Sequence, residues 1–218
     1  MPVFPLFVDL KDKKCVIVGG GKVASRKIKT LMQFDASITV ISPEICKEIT
    51  QLENEGNVTL LYRDYSDNDL SGAYLAVAAT SNGEVNAKVH KDAVEKNILV
   101  NVVDSPTKST FIFPAVVKRD DVVIGISTSA SYPALSKRLR KDIEGFIDHT
   151  YGTGITVLKE YRSKVLKEIK NSERRKEILN KMLNAVLECE DFFEADEITL
   201  KVKKIYEEYK NDEKNKSW

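Results

Sequence analysis

The sequence predicts an α/β chain: a doubly wound parallel sheet, then a small α+β segment, then a helical C-terminal domain. Three observations carry this prediction. Over the first half of the 218 residues, short runs of β-type residues alternate with segments of helical period. Three consecutive glycines, Gly19-Gly20-Gly21, join the first such pair. Beyond about residue 113 the alternation stops, and two β-rich runs lead into heavily charged sequence of helical period.

The elements follow in order. Cys15-Val16-Ile17-Val18 reads as the first strand, and Ala24, Ile28, Leu31 and Met32 then recur at the spacing of one buried helix face. Ile38-Thr39-Val40-Ile41 is a second strand, with a helix expected from Pro43, since proline suits a first helical turn. Val58-Thr59-Leu60-Leu61-Tyr62 is a third. Tyr74-Leu75-Ala76-Val77-Ala78-Ala79 is a fourth, apolar nearly throughout, as a strand covered on both faces should be. Asn82 can cap a helix running to about Lys96, and Leu99-Val100-Asn101-Val102-Val103 supplies a fifth strand. Right-handed crossovers between such strands give a mostly parallel sheet.

Next come two β-rich runs, Phe111 to Val117 and Val122 to Ser127, separated by a polar turn, Lys118-Arg119-Asp120-Asp121. Pro133 opens a helix to about Phe146, and Gly152 and Gly154 punctuate a boundary. Three helical faces follow: Leu158, Tyr161, Val165 and Ile169; Ile178, Leu179, Met182, Val186 and Leu187; and Ile198, Val202, Ile205 and Tyr209. Residues from Asn211 to Trp218 look frayed. The expected domains are residues 1–113, 114–150 and 151–218.

Composition narrows the function. Lys and Arg number 34 against 33 Asp and Glu, a net charge of +1 that gives no reason to expect a nucleic-acid binder. At 42% hydrophobic and 31% charged residues, the chain is globular rather than disordered. No apolar run approaches the roughly 18 residues of a membrane span, and no basic start precedes an apolar leader. Cys15, Cys46 and Cys189 are odd in number and widely spaced, which fits reduced thiols and a cytoplasmic location. With two histidines and no CxxC, no resident metal site is expected.

Gly19-Gly20-Gly21-Lys22-Val23-Ala24 contains G-x-G-x-x-A, directly after a strand and opening a helix. In this context Gly19 permits the tight turn, Gly21 lets backbone N–H groups approach a pyrophosphate, and Ala24 lets helix and strand pack closely. The N-terminal N–H groups of that helix suit phosphate. The reading is a Rossmann-like dinucleotide site formed by Gly19, Gly20, Gly21, Lys22 and Val23. No acidic residue ends the second strand; Ser42-Pro43-Glu44 follows instead, where Ser42 or Glu44 can meet a ribose hydroxyl. The absence of an arginine there favours NAD over NADP, although Lys47 is near. Thr80, after the fourth strand, lies where the nicotinamide half is expected, or simply begins a turn. Asp104 leaves the fifth strand at the same edge. It is a candidate general base, with the acceptor of an Asx-turn as the blander alternative.

Together these residues resemble the precorrin-2 dehydrogenase family, the N-terminal module of siroheme synthase. The resemblance rests on Pro5-Leu6-Phe7-Val8-Asp9-Leu10, Val16 through Lys27, Ala78-Ala79-Thr80, Val85-Asn86 and Asn101 through Pro106. It continues in Phe111-Ile112-Phe113-Pro114-Ala115, Ile126-Ser127-Thr128 and Pro133-Ala134-Leu135. It implies oxidation of precorrin-2 to sirohydrochlorin with NAD as acceptor, on the route to siroheme or cobalamin. Lys22, Val23, Pro43 and Glu44 would then contact NAD, and Asp104 would be catalytic. The resemblance also implies that some members insert iron into sirohydrochlorin through the same aspartate. The family also implies a homodimer with the middle segment at its interface. The sequence departs from the family at Ser129-Ala130-Ser131-Tyr132-Pro133, where relatives carry glycines and a Ser-Pro pair, and Thr128 stands where some have a modifiable serine.

A substrate so rich in carboxylates needs cations or N–H and O–H donors. Candidates are Lys118 and Arg119 in the turn, Lys137, Arg138 and Arg140 on the following helix, and the hydroxyls of Ser127, Thr128 and Ser129. Each basic residue reads equally well as part of a solvated face. A non-catalytic NAD-sensing module is the rival reading, and it would not require Asp104.

Overall fold

The first strand alternates between two cores. In β1 (Lys14–Val18), Cys15 and Ile17 pack on one side of the sheet while Val16 and Val18 pack on the other. A strand sealed on both faces has no polar side to offer, which is why these segments read as continuous apolar runs. The computed structural model describes residues 3–129, 131–188 and 195–216; Ala130, Cys189 and Trp218 lie outside them.

The chain divides into two compact units, Met1–Phe113 and Pro114–Trp218. In the first, β2 (Ser37–Ile41), β3 (Thr59–Leu61), β4 (Leu75–Ala78) and β5 (Leu99–Val102) join β1 in one parallel sheet of order β3-β2-β1-β4-β5. Helices α1 (Lys22–Met32) and α2 (Lys47–Asn54) cover one face through Ala24, Ile28, Leu31, Ile49 and Leu52. Helix α3 (Gly83–Glu95) covers the other through Val89 and Ala93. Between β3 and β4 no helix forms. The loop there plugs that second face with Leu70, and its Tyr65 hydroxyl donates to the buried Asp92 of α3 at 2.7 Å.

In the second unit, β6 (Ala115–Arg119) and β7 (Val122–Ile126) form an antiparallel hairpin, followed by α4 (Pro133–Phe146), α5 (His149–Glu168), α6 (Ser172–Leu187) and α7 (Ala195–Lys216). The last three share a core in which Tyr161, Val165, Ile169, Ile178, Met182, Val186, Ile198, Val202 and Tyr206 are buried. Helix α4 buries no residue within its unit, and Leu135, Leu139 and Phe146 stand exposed on it.

The structure departs from the sequence expectations at five places. Helix α2 begins at Lys47, not at Pro43, because the Ser42–Cys46 stretch is held across the glycine turn by the Cys46 N–H donating to the Gly20 carbonyl at 2.9 Å. Phe111 and Phe113 are not part of a strand; their rings pack against the core under α1 and each other, 5.2 Å between centroids. Lys118 and Arg119 extend β6, so the hairpin turn is only Asp120-Asp121, with Asp120 in the left-handed region at φ 49°. Gly152 and Gly154 lie inside α5, where a side chain on Gly154 would run into Val186 of α6. The last helix continues to Lys216 and adds the buried Tyr206 to its core, with Ile205 and Tyr209 partly buried against it.

Candidate functional site

Register brings the candidate residues of the first unit to one edge. Val18 pairs with Ile41 and with Ala78, and Ala78 pairs with Val102, so four parallel strands end in one row. The residues that follow them, Gly19, Ser42, Ala79-Thr80 and Val103-Asp104, therefore leave the sheet together at its carboxyl edge. The strand order reverses between β1 and β4, and such a switch point is where a doubly wound sheet opens its ligand crevice.

The three glycines do different work. Gly19 adopts φ +122°, and a side chain there would collide with the Ala79 carbonyl. A side chain on Gly20 would strike the carbonyl oxygen of Glu44 and come within 2.8 Å of the Ile45 Cα. Gly21 is the exception, because a Cβ added there meets nothing within 4 Å. It caps α1 with extended backbone and no side-chain hydrogen bond, and no acidic residue sits in the first turn. The leading N–H groups of α1 therefore face open space with a partial positive charge. Helix α3 differs, since the Asn82 carboxamide oxygen already accepts from the N–H groups of Glu84 and Val85.

Ser42 spends its hydroxyl hydrogen on the Glu44 carbonyl at 2.7 Å, and Pro43 and Glu44 are exposed beside the glycine turn. Thr80 is held by Asn86 of α3. The Thr80 N–H and hydroxyl both donate to Asn86 Oδ1, at 3.2 and 2.8 Å, and Asn86 Nδ2 donates back to the Thr80 carbonyl at 3.0 Å.

Asp104 sits at φ 57° in the turn after β5, exposed, with no hydrogen bond or ion pair to its carboxylate among the described residues. No Asx-turn engages it. What shapes its turn is the buried Ser109, whose hydroxyl accepts from the Val102 N–H at 3.0 Å and faces the Ser105 carbonyl at 3.0 Å.

The second unit holds the proposed substrate anchors, and they differ in availability. Arg119 turns onto α4, 3.9 Å from the Glu144 carboxylate, which Arg140 also engages at 2.5 Å. Arg138 pairs with Asp142 at 2.9 Å, Lys118 is half-buried on β6, and Lys137 is exposed. The Thr128 hydroxyl is 2.9 Å from that of Ser136 and 3.1 Å from the Tyr132 carbonyl, so Thr128 ties its loop to the start of α4. The Ser127 Oγ accepts from the Ser129 N–H at 3.0 Å, and Ser129 itself is left-handed at φ 52°. Among the described residues, no group of three His, Cys, Asp or Glu side chains is placed to hold a metal ion, and no helix is long and apolar enough to cross a membrane.

Residues 6–115, about half of the chain, match the model of a family described as "Putative NAD(P)-binding". The chain belongs to this NAD(P)-binding family. The chain is 38% identical over 176 residues to a siroheme synthase of Methylobacillus flagellatus, covering 81% of this chain and 38% of that protein. It is 41% identical over 169 residues to a siroheme synthase of Psychrobacter cryohalolentis, covering 78% and 32%. The chain thus spans about two fifths or less of these relatives. A solved structure described as SirC, precorrin-2 dehydrogenase, superposes with a TM-score of 0.73 at 27% identity, covering 93% of this chain and all of that one. The resemblance read in the sequence stands on these matches.

The residues present fit the dinucleotide of an NAD(P)-binding protein. The open cradle over Gly21, bare of any Cβ, faces uncapped N–H donors, which is what a pyrophosphate needs. In the sequence, Val85-Asn86 contributes only to the family resemblance, and Asn86 carries no expected role. The signal available was an asparagine in a helix six residues after a threonine at a strand end, and that spacing alone does not imply a contact.

Proposed function

We propose that the chain is an NAD-dependent precorrin-2 dehydrogenase of siroheme biosynthesis. The likeness to SirC, which runs through the whole of that chain, carries the reading, and Asp104 at the carboxyl edge supports it. Forming sirohydrochlorin from precorrin-2 removes a hydride equivalent and a proton. NAD, when bound, supplies the hydride acceptor. The chain's own residues do the rest. The N–H groups opening α1 hold the pyrophosphate, with Lys22 and Val23 beside them, while Ser42, Pro43 and Glu44 border the adenosine ribose. A carboxylate there, with no arginine between residues 42 and 46, suits a free 2′-hydroxyl and hence NAD rather than NADP. Thr80 borders the nicotinamide half. A carboxylate oxygen of Asp104, free of internal partners, takes the proton. Lys137 is the readiest cation for substrate carboxylates, while Arg119, Arg138 and Arg140 must first leave acidic partners.

The enzyme acts in the cytoplasm as a homodimer built on residues 114–150. Free thiols at Cys15 and Cys46 support the first statement, and the apolar side chains left exposed on α4 support the second. The test is an anaerobic mixture of protein, precorrin-2 and NAD followed by its visible spectrum. Sirohydrochlorin should form only when NAD is present, and it should fail to form with Asp104→Asn. NAD binding without any spectral change would overturn the enzyme reading in favour of a sensing module.

A further inference from the structure

Asn86 has no helix-capping duty to explain it. Asn82 already caps α3, and asparagine inside a helix is ordinarily unfavourable because its amide competes for backbone groups. Yet the half-buried Asn86 amide meets Thr80 at three atoms: its N–H, its carbonyl, and its hydroxyl, whose single hydrogen is shared with the Asn82 carbonyl at 2.9 Å. The peptide units on both sides of Thr80 are thereby fixed to α3. That helix is itself anchored, by Val89 and Ala93 in the core and by the Tyr65–Asp92 bond.

The turn so held is one wall of the crevice at the switch point. It already touches the opposite wall, for a Cβ on Gly19 would lie 3.1 Å from the Thr80 nitrogen and would collide with the Ala79 carbonyl. With contact that close, small displacements of Thr80 change the width of the crevice that a dinucleotide enters. We propose that Asn86 is a positioning residue for the cofactor: it holds the Ala79-Thr80 turn in the place that a bound NAD requires. This rests on the dinucleotide reading of the glycine turn and is independent of which tetrapyrrole is oxidised.

The test is calorimetric titration of NAD into the full chain, with a thermal melt of each variant. Asn86→Ala should weaken NAD binding about tenfold, the equivalent of one or two net hydrogen bonds. Asn86→Asp keeps the acceptor for the Thr80 N–H and hydroxyl but loses the donor to its carbonyl, and should fall between. Tyr65→Phe is the control. It removes one hydrogen bond to Asp92, six residues further along α3, while Val89 and Ala93 still hold the helix in the core, so it should lower the melting temperature and leave NAD affinity unchanged. With precorrin-2 at saturating NAD, the Asn86 variants should keep kcat and raise only the KM for NAD. A folded Asn86→Ala whose affinity is within about twofold of wild type overturns the proposal. So does a Tyr65→Phe that loses as much affinity for the same loss of melting temperature. If Asn86→Ala does not fold, Asn86→Asp against Tyr65→Phe decides on the same terms. Wild-type chain that binds neither NAD nor NADP would instead refute the dinucleotide reading beneath it.

Discussion

Two adjacent glycines should fail in opposite ways when each is replaced by alanine. In Gly20→Ala the new methyl strikes the Glu44 carbonyl oxygen and lies 2.8 Å from the Ile45 Cα, so the 42–46 stretch must move away. That overpacking costs about 1–3 kcal/mol. Losing the 2.9 Å bond from the Cys46 N–H to the Gly20 carbonyl adds about 1 kcal/mol. The expected loss is therefore about 2–4 kcal/mol, or about 8–16 °C in melting temperature for a unit of this size. In Gly21→Ala the methyl meets nothing within 4 Å, and φ −87° is ordinary for alanine, so stability should stay within about 1 kcal/mol. The same methyl stands where a pyrophosphate must approach the N–H groups of α1. Losing such charge-assisted bonds should weaken NAD about 10- to 100-fold. Chemical denaturation and calorimetric NAD titration of both variants make the comparison. A Gly20→Ala as stable as wild type would refute the close crossing of residues 44 and 45. A Gly21→Ala with unchanged NAD affinity would refute the cradle.

Further outcomes are expected elsewhere. Asparagine tolerates the left-handed backbone of residue 104, so Asp104→Asn should keep its melting temperature while turnover falls about 100-fold or more, as loss of a general base does. Burial pushes the Cys15 thiol from 9.0 up to about 11. The unfolded chain then loses that proton first, so this contribution to stability is whole below about pH 9 and is lost as the pH rises towards about 11. Urea midpoints should fall less steeply over this range in Cys15→Ala, and equal slopes would contradict the burial argument. Leu139→Glu places a charge on the exposed apolar side of α4, and sedimentation should show the proposed homodimer dissociating to monomers that keep their helical content.

The sheet was legible because its strands are sealed on both sides, which leaves apolar runs at β1 and β4 and, around the single Asn101, at β5. The cap at Asn82 and the proline opening α4 were legible because their chemistry is local. Errors arose where distant contacts decide. Pro43 suits a helix start by itself, yet Gly20 claims the Cys46 N–H and delays the helix. Phe111 and Phe113 carry the same apolar signal whether they pair as a strand or plug a core. Glycines 152 and 154 read as breaks until the close approach of α6 to α5 is seen. At the site, the glycine fingerprint announced itself because all its parts are contiguous. The tie of Arg119 to Glu144 was hidden because it joins a strand to a helix 25 residues later, whereas Arg140 and Glu144 are an i,i+4 pair within α4.

Strand order also has a consequence for biosynthesis. With β1 at the centre of the sheet, the strand made first among the five is one that needs neighbours on both edges. Its β2 edge is covered early, once Ser37–Ile41 follows, but its β4 edge stays open until Leu75–Ala78 has been made. Throughout that interval Cys15, Val16, Ile17 and Val18 present an apolar strand with unpaired backbone groups, the kind of surface that nascent chains use to aggregate. A truncated chain ending before Leu75 should accordingly be insoluble or chaperone-bound, while one extended past Val102 has every strand of the sheet available to close it.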